Sequence, residues 1–150
     1  MIGTALPGGT PAGVTAHLIA RAYTCNSLGP VRVNLRYTAG DPHAVILDIA
    51  TPQRSGWVRW QMARDLLADG LNAPTGEGDV HVSPVEVAPG ERGDTVAVEL
   101  SSPEGVVLLV FDRAPLEKVL DEIECLVPAG TESDRIDWDA EFAALGGGAR

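Results

Sequence analysis

The sequence predicts an α+β domain built mainly of antiparallel strands, with a seven-stranded sheet and two or three flanking helices. The chain has 150 residues, of which 45% are hydrophobic, so it can bury a core as one domain. Seventeen glycines and eleven prolines separate short apolar runs, a pattern typical of short strands joined by turns. Two stretches change from the strand period to the helical period.

Four strands are predicted before the first helix. The clearest alternates strictly, with an apolar face opposite a face that carries Arg32, Asn34 and Arg36. Another is apolar on both faces except at Asp48, which predicts a central strand covered on both sides. The four strands are predicted at residues 14–23, 31–37, 44–50 and 57–60.

A helix is predicted near the middle of the chain. Its apolar residues recur at helical spacing, and Gly70 is positioned to follow the helix as its C′ residue. The loop that follows, residues 72–78, is rich in turn-forming residues. The apolar face of this helix consists of Met62, Leu66, Leu67 and Leu71.

Three strands complete the predicted sheet. Residues 79–87 alternate, but Pro84 lacks an amide donor, so this strand is predicted to be an edge or to be interrupted there. Residues 95–100 and 106–111 are joined by a segment containing Pro and Gly. The composition of that segment predicts a hairpin.

Two helices are predicted after the last strand. The first begins near Pro115, which suits an initial helical turn, and ends before Pro128. A short final helix is predicted to begin near Asp137, a favourable N-cap, with Trp138 and Phe142 on one face. Two unequal halves result, each a run of antiparallel strands followed by a helix. The apolar stripe of the first of these helices consists of Leu116, Val119, Leu120 and Ile123.

The N-terminal residues and the cysteines indicate where the protein acts. Residues 1–13 are rich in Gly, Pro and Thr and lack the features of a signal peptide, so we expect a flexible leader before a single domain at residues 14–150. Cys25 and Cys125 are a sparse pair typical of a reducing compartment, and Cys125 is expected in the core. No apolar run approaches the length that spans a bilayer. We therefore expect a cytoplasmic protein without direct membrane insertion.

Charge is distributed unevenly along the chain. Residues 1–64 carry six arginines and two aspartates, a charge of +4, whereas residues 65–150 carry five basic and nineteen acidic side chains, a charge of −14; the two sum to the net charge of −10. The acidic half would repel a phosphate backbone, so no nucleic-acid partner is expected. Two interpretations stay open: a solubilising surface, or a two-signed surface that docks onto a partner.

No local motif predicts catalysis. His17, His43 and His81 lie singly, without the spacing of metal ligands. The segment at residues 76–78 has the glycines of a phosphate loop, but no Lys-Ser/Thr follows and Glu77 would repel a phosphate. We predict a structural turn there. No catalytic, metal or cofactor-binding residues are predicted, and no cofactor is expected.

The face formed by Arg32, Asn34 and Arg36 is the candidate partner-binding surface. Arginine and asparagine side chains present donors that bind carboxylates or phosphates. Arg21 and Arg59 are expected near this face. The alternative is an ordinary solvent-exposed face of an antiparallel sheet. The three tryptophans are expected to be core residues rather than stacking platforms.

Several blocks of sequence are more telling than any periodicity. They are ARDLLADGL at residues 63–71, PTGEGDV at residues 74–80 with Pro84, LRY at residues 35–37 with DPHAV at residues 41–45, LSSPEG at residues 100–105, and VPAGTE at residues 127–132. Together these blocks resemble the SsgA-like sporulation and cell-division proteins of actinobacteria, and they are most similar to the SsgB branch of that family. The resemblance covers residues 15–145.

This resemblance implies a barrel-like sheet with flanking helices, similar to the Whirly architecture, assembled as a homotrimer. It implies a non-enzymatic adaptor at the division septum that recruits or organises the tubulin-like protein FtsZ, with an SsgA-type paralogue as a further partner. The family has no catalytic residues to carry over. The alternative function is a nucleic-acid-binding module, which rests only on analogy with the Whirly-like fold and on the arginine face.

Overall fold

The computed structural model describes residues 12–51, 56–88 and 91–132, which form one antiparallel sheet and two helices. The predicted α+β class and the mainly antiparallel, barrel-like sheet are confirmed, and the sheet is a curled half-barrel. Neighbouring strands follow the order β4-β3-β2-β1-β8-β7-β6-β5. The elements are β1 (Gly13–Tyr23), β2 (Leu28–Thr38), β3 (Ala44–Thr51), β4 (Gly56–Ala63), α1 (Arg64–Gly70), β5 (Thr75–Glu77), β6 (Val80–Ala88), β7 (Glu91–Ser102), β8 (Gly105–Asp112) and α2 (Arg113–Leu126).

The sheet consists of two halves joined by a short seam. Strands β1 to β4 form one run of antiparallel neighbours and β5 to β8 form the other. β1 and β2 pair along their whole length, but β1 and β8 pair only where residues 21–23 meet residues 108–110. Helix α2 packs against β1, β7 and β8, and therefore crosses the seam.

The described sheet has eight strands rather than the predicted seven, and β5 is the additional strand. Thr75–Glu77 was expected within a loop, yet it pairs with residues 80–82 at the start of β6. Gly78 adopts a φ of +59° in the tight turn between them, a conformation that glycine adopts without steric cost. Three residues are too few to show alternation, so the period of the sequence could not reveal this strand. With β5 included, the halves have four strands each rather than unequal numbers.

Helix α1 begins later than the apolar spacing predicts, and its glycine has another role. Met62 is a buried residue of β4, and the helix starts at Arg64. Gly70 is the last helical residue, followed by Leu71 in the right-handed region, so Gly70 is not a C′ residue. A Cβ at Gly70 would lie 2.3 Å from Val82 Cγ1, so the helix approaches β6 too closely for a side chain. α1 contacts β4, β5 and β6, and so covers the gap between the two ends of the sheet.

The core lies on the concave side of the sheet, which we call the inner face. The predicted stripe of α2 is confirmed at Leu116, Val119 and Ile123, which are buried there. β3 was expected to be covered on both sides, but it is buried on its inner face only and half-buried on the other. The largest fully buried side chains include Phe111, Leu35, Leu47, Leu67 and Leu109.

Two further predictions concern single residues. The interruption predicted at Pro84 is confirmed, because the register of β6 with β7 shifts between Pro84 and Glu86. The expected core position of Cys125 is wrong: both cysteines are exposed, and Cys125 lies on α2 away from its buried stripe. The predicted leader and the helix expected near Asp137 lie outside the described residues. In the described part of the chain, neither helix has the length and hydropathy needed to cross a membrane.

Candidate partner-binding surface

The structure places the three predicted residues together on the convex side of the sheet, which we call the outer face. Arg32, Asn34 and Arg36 alternate along β2 with buried Val31, Val33 and Leu35, so the two-residue period sends their side chains outward. The backbone partners on β1 are Ile19, His17 and Thr15, which share this face.

Asp48 binds two of the arginines of this face. Its carboxylate lies 2.8 Å from Arg36 Nη2 and accepts a hydrogen bond of 2.8 Å from Arg59 Nε. The strand register brings the Asp48 carboxylate close to both arginines, because Asp48 lies opposite Asn34 on β2 and opposite Arg59 on β4. The hydrogen bond from Arg59, followed by the charge of Arg36, holds the pKa of Asp48 below its ordinary value although burial opposes the shift. Arg36 and Arg59 are therefore engaged within the sheet.

Asn34 is also engaged by a neighbour on the same face. Its Oδ1 lies 2.7 Å from His17 Nδ1 on β1. Because an amide oxygen only accepts, the imidazole nitrogen must donate this hydrogen bond. The contact orients the Asn34 side chain along the sheet. Of the three predicted binding residues, Asn34 and Arg36 thus belong to cross-strand pairs.

Arg32 differs from these two residues. It is exposed, and Arg21 is exposed one step along on β1. Within residues 12–51, 56–88 and 91–132, no carboxylate forms a salt bridge with either arginine. Arg21 and Arg32 are therefore the exposed arginines of the outer face that have no carboxylate partner among the described residues.

Beside Arg32 lies an apolar cleft of about 510 Å³. It is open to solvent, and large apolar side chains are exposed at its margin: Ile19 is 68% exposed and Trp57 is 51% exposed. Trp57 was expected in the core, and this prediction is wrong because Trp57 pairs with Ala50 on the outer side of β3. We call this feature the Trp57 cleft; it is lined by Ile19, Pro30, Arg32, Ala50 and Trp57 together with Val31, Thr51 and Gly56.

A second group of charges surrounds a buried arginine and was not predicted from the sequence. Arg64 is only 5% exposed, and its guanidinium donates to Glu124 Oε2 at 2.7 Å and lies 3.7 Å from Glu132 Oε2. It also donates to the Tyr37 hydroxyl at 3.3 Å, which in turn donates to the carbonyl of Pro42. The available signal was that Arg64, Tyr37 and Glu132 all fall within the blocks that carry the family resemblance.

This group of side chains, which we call the Arg64 group, consists of Arg64, Glu124, Glu132 and Tyr37. It connects parts of the chain that are distant in sequence. Arg64 opens α1, Glu124 lies near the end of α2, and Glu132 lies beyond it. Glu132 accepts a hydrogen bond from the backbone amide of Gly130 at 2.7 Å. Backbone hydrogen bonds and the charge of Arg64 hold the pKa of Glu132 below its ordinary value against the effect of burial. This group therefore holds the segment after α2 against the start of α1.

The remaining chemical candidates do not converge. His81 lies 4.0 Å from Glu99. Of the segment predicted to be a turn, Gly76 and Glu77 lie in strand β5 and only Gly78 lies in the turn after it. In the part of the chain that the structure describes, no three His, Cys, Asp or Glu side chains come together as a metal site requires. Among the described residues, the outer face of the first half is therefore the candidate functional surface.

Comparison with known proteins identifies the family. The family model described as "Streptomyces sporulation and cell division protein, SsgA" matches residues 31–132. The sporulation-specific cell division protein SsgB of Streptomyces coelicolor is 42% identical over 116 residues, which cover 77% of this chain and 82% of that protein. A sporulation-specific cell division protein of Frankia casuarinae is 35% identical over 139 residues, covering 91% of this chain and 92% of the relative.

Solved structures agree with the sequence relatives. An SsgA-like sporulation-specific cell division protein from Thermobifida fusca superposes with a TM-score of 0.77 at 34% identity, covering 91% of this chain and 98% of that one. A structure from work on SsgB and cell division during sporulation of Streptomyces coelicolor superposes with a TM-score of 0.74 at 39% identity, covering 85% and 98%. The shared fold and the matching residues show that this chain belongs to the SsgA family of sporulation and cell-division proteins.

Proposed function

We propose that this protein is a non-enzymatic adaptor of cell division that recruits or organises FtsZ at the septum through protein–protein contacts. Its relatives are named as sporulation-specific cell division proteins, which supports a role in division rather than catalysis. FtsZ as the partner, a cytoplasmic location at the septum, and an SsgA-type paralogue as a further partner rest on the family resemblance. Arg32, Asn34 and Arg36 remain the proposed partner-binding residues.

The observation that carries the proposal is exposed Arg32 beside exposed Trp57 and Ile19. Arginine and tryptophan are enriched among the residues that dominate binding energy in interfaces. The engaged neighbours Asn34 and Arg36 hold the surrounding surface in a fixed arrangement, which reduces the entropy lost on binding. Such a surface fits an acidic protein segment with an apolar side chain.

Phosphate recognition is less well supported. Asp48 engages Arg36 and Arg59, so the outer face presents only two arginines without carboxylate partners in the described residues. Neutralising phosphates along a nucleic acid requires many such charges. For this reason we do not propose the nucleic-acid-binding alternative.

We also propose a homotrimer, in which three copies of a weak site would bind a filament with increased avidity. Support comes from an exposed apolar patch on the outer face at the seam: Leu28 is 65% exposed, Val106 is 53% exposed, and Tyr23 lies opposite Leu28. Exposed patches of this kind mark interfaces. Light scattering should give a trimer mass that falls for Leu28→Glu with Val106→Glu; a monomer mass for the unmodified protein would contradict the trimer.

Cosedimentation with polymerised FtsZ tests the adaptor function. We expect the full chain to pellet with the filaments, and Arg32→Glu and Trp57→Ala to reduce the pelleted fraction strongly. Lys118→Glu reverses one charge on exposed α2 and should pellet like the unmodified protein. Failure of the unmodified protein to pellet, or equal pelleting of Arg32→Glu and Lys118→Glu, would contradict the proposed surface.

A further inference from the structure

We propose that the free edge of β4 binds an extended segment of another protein by strand addition, and that this segment carries an acidic residue between two apolar residues. We call this feature, formed by residues 58–61, the β4 edge. The inference does not rest on the proposed function, because Arg32, Asn34 and Arg36 lie on β2 and not on this edge. Its test uses synthetic peptides instead of FtsZ.

The two ends of the sheet are protected to different degrees. At one end, β5 has only three residues, β6 carries Pro84 and register shifts on both sides of Glu86, and α1 packs against both strands. At the other end, β4 has eight residues that pair with β3 without a register shift. β4 contains no Pro, no Lys and no inward-facing charge, which are common means of preventing edge-to-edge pairing. The β4 edge is therefore regular enough to accept another strand.

Side chains on both faces of β4 are incompletely covered. Among the residues that the structure describes, β4 has a strand neighbour on one side only, which is β3. Val58 lies on the inner face opposite buried Ile49, yet it is 41% exposed. Trp60, opposite buried Leu47, is only partly buried against the core. Apolar residues of an added strand would cover Val58 and Trp60 and extend the core by one strand.

The charge of Arg59 favours an acidic residue in the added strand. Asp48 is shared by Arg36 and Arg59, so this group has two positive charges and one negative charge. Arg59 is its member on the β4 edge, and its side chain is 60% exposed. A carboxylate opposite Arg59 would balance the remaining charge, because opposite charges directly across two strands stabilise their pairing.

Strand β3 shows which pattern pairs well with β4. Residues 47–49 of β3, in the order Leu-Asp-Ile, lie opposite residues 58–60 of β4. The two apolar residues cover the inner face, and the aspartate between them binds Arg59 on the outer face. The same pattern on the free side of β4 would repeat this arrangement, because strand alternation determines the face on which each side chain lies. We therefore expect an apolar–acidic–apolar triplet in the occupant.

A second copy of β4 matches the β4 edge less well. β4 contains no acidic residue, so pairing two copies through β4 adds no carboxylate opposite Arg59. In the antiparallel register that places Val58 opposite Trp60, Arg59 also faces its own counterpart. Like charges in this position are destabilising. A segment of another protein with a central acidic residue avoids this repulsion.

NMR titration of the ¹⁵N-labelled full chain with the synthetic peptide Ser-Thr-Val-Glu-Val-Thr-Ser tests strand addition. We expect the amide signals of residues 58–61 to shift, and exchange of β4 amides with deuterium to slow, because an added strand forms main-chain hydrogen bonds. The control peptide Ser-Thr-Val-Lys-Val-Thr-Ser should bind about tenfold more weakly, since it places a like charge opposite Arg59. Unshifted β4 signals throughout the titration would overturn the inference.

Two N-methylated peptides distinguish strand addition from binding by side chains alone. A strand at the edge of a sheet pairs through the amides of alternate residues. One peptide is methylated on both Val nitrogens, and the other on the nitrogens of Glu and of the Thr that follows the second Val. One of them should lose binding and the other should keep it. Equal affinities of the two peptides, whether retained or lost, would overturn the inference.

Charge exchange tests the role of Arg59. Arg59→Glu should weaken binding of the Glu peptide about tenfold and reverse the preference in favour of the Lys peptide. The matched reversal Lys118→Glu on α2 should change neither affinity. An unchanged preference in Arg59→Glu would overturn the acidic specificity. If Arg59→Glu disturbs folding, the methylated peptides still decide, because they are measured on the unmodified protein.

Dilution identifies a second copy as the occupant. Without peptide, we expect deuterium exchange of the β4 amides to be independent of protein concentration. Protection of these amides that falls on dilution would overturn the inference, because the edge would then be occupied by another copy of the chain.

Discussion

The two halves of the sheet have similar inner faces and different outer faces. Both bury branched aliphatic side chains toward the core, such as Leu35 and Leu47 in the first half and Val98 and Leu109 in the second. On the outer side, β2, β3 and β4 carry the Arg36–Asp48–Arg59 ion group. The outer residues of the β7–β8 hairpin are mainly small or apolar, and they include Ala97, Leu108, Val110 and exposed Val106.

The two faces of the sheet are therefore under different constraints. The inner faces carry the same apolar pattern because they share one core. The outer faces are free to differ because they do not form that core. A polar outer face suits a partner with complementary charge, and an apolar one suits contact with another copy.

The largest effect is expected from the inner faces. Phe111→Ala in the second half and Leu35→Ala in the first should each lower the free energy of unfolding by about 3–5 kcal/mol, since each leaves a cavity in a fully buried site. Urea unfolding followed by circular dichroism should show one transition for both. Two separate transitions, with only one shifted by each substitution, would show that the halves fold independently.

The second largest loss of unfolding free energy is expected for substitutions in the Arg64 group, because this group joins α1 to the end of the second half. Arg64→Leu leaves the buried Glu132 carboxylate without its cation, and breaking a buried pair in this way costs about 3 kcal/mol. Arg64→Leu combined with Glu132→Gln should recover part of the loss, because the uncompensated charge is then removed. An Arg64→Leu protein as stable as the unmodified one in urea would show that the group does not join the halves.

Gly70→Ala should have an intermediate effect, because the new Cβ would meet Val82 where α1 crosses the gap between the sheet ends. Overpacking of this kind costs about 1–3 kcal/mol. Val82→Gly removes the Cγ1 and Cβ atoms that lie 2.3 and 2.4 Å from the new Cβ, so Gly70→Ala should be less harmful in that background. Thermal unfolding of the four proteins forms a double-mutant cycle. Equal effects in both backgrounds would show that Val82 is not the obstacle.

The smallest effect is expected on the outer face. Asp48→Asn should lower stability by up to about 1 kcal/mol near pH 7, since exposed arginines form the pairs. The matched control is Glu99→Gln in the second half. Its free energy of unfolding should barely change, because Glu99 Oε2 lies as far as 4.0 Å from His81 Nδ1.

The pH dependence of the same variant has a definite sign. The folded pKa of Asp48 lies below its ordinary value of 3.8, so its contribution is present above that value and is lost as the pH falls through the folded pKa. The stability difference between the unmodified protein and Asp48→Asn, measured in urea at several pH values, should therefore shrink on acidification. If the stability difference grew as the pH fell below 3.8, the pairing of Asp48 with Arg36 and Arg59 would be contradicted.

Local periodicity predicted the type of most long segments, although it assigned Met62 to the helix and Cys125 to the core. The alternation along β2 correctly placed Arg32, Asn34 and Arg36 on one outer face, and the stripe of α2 correctly placed Leu116 and Ile123 in the core. Prediction failed for the three-residue strand β5 and for Trp57, whose position depends on a neighbouring strand.

The strand and helix periods and the outward face of β2 can be predicted from the sequence, because they depend on residues two to four positions apart, and the family can be predicted from whole blocks of sequence. The structure was needed to show that Asp48 pairs with Arg36 and Arg59, that Arg64 pairs with Glu124 and Glu132, and that Val82 leaves no room for a side chain at Gly70. These contacts depend on strand register and on helix placement. Both are set by packing between residues distant in sequence, which leaves no local period to detect.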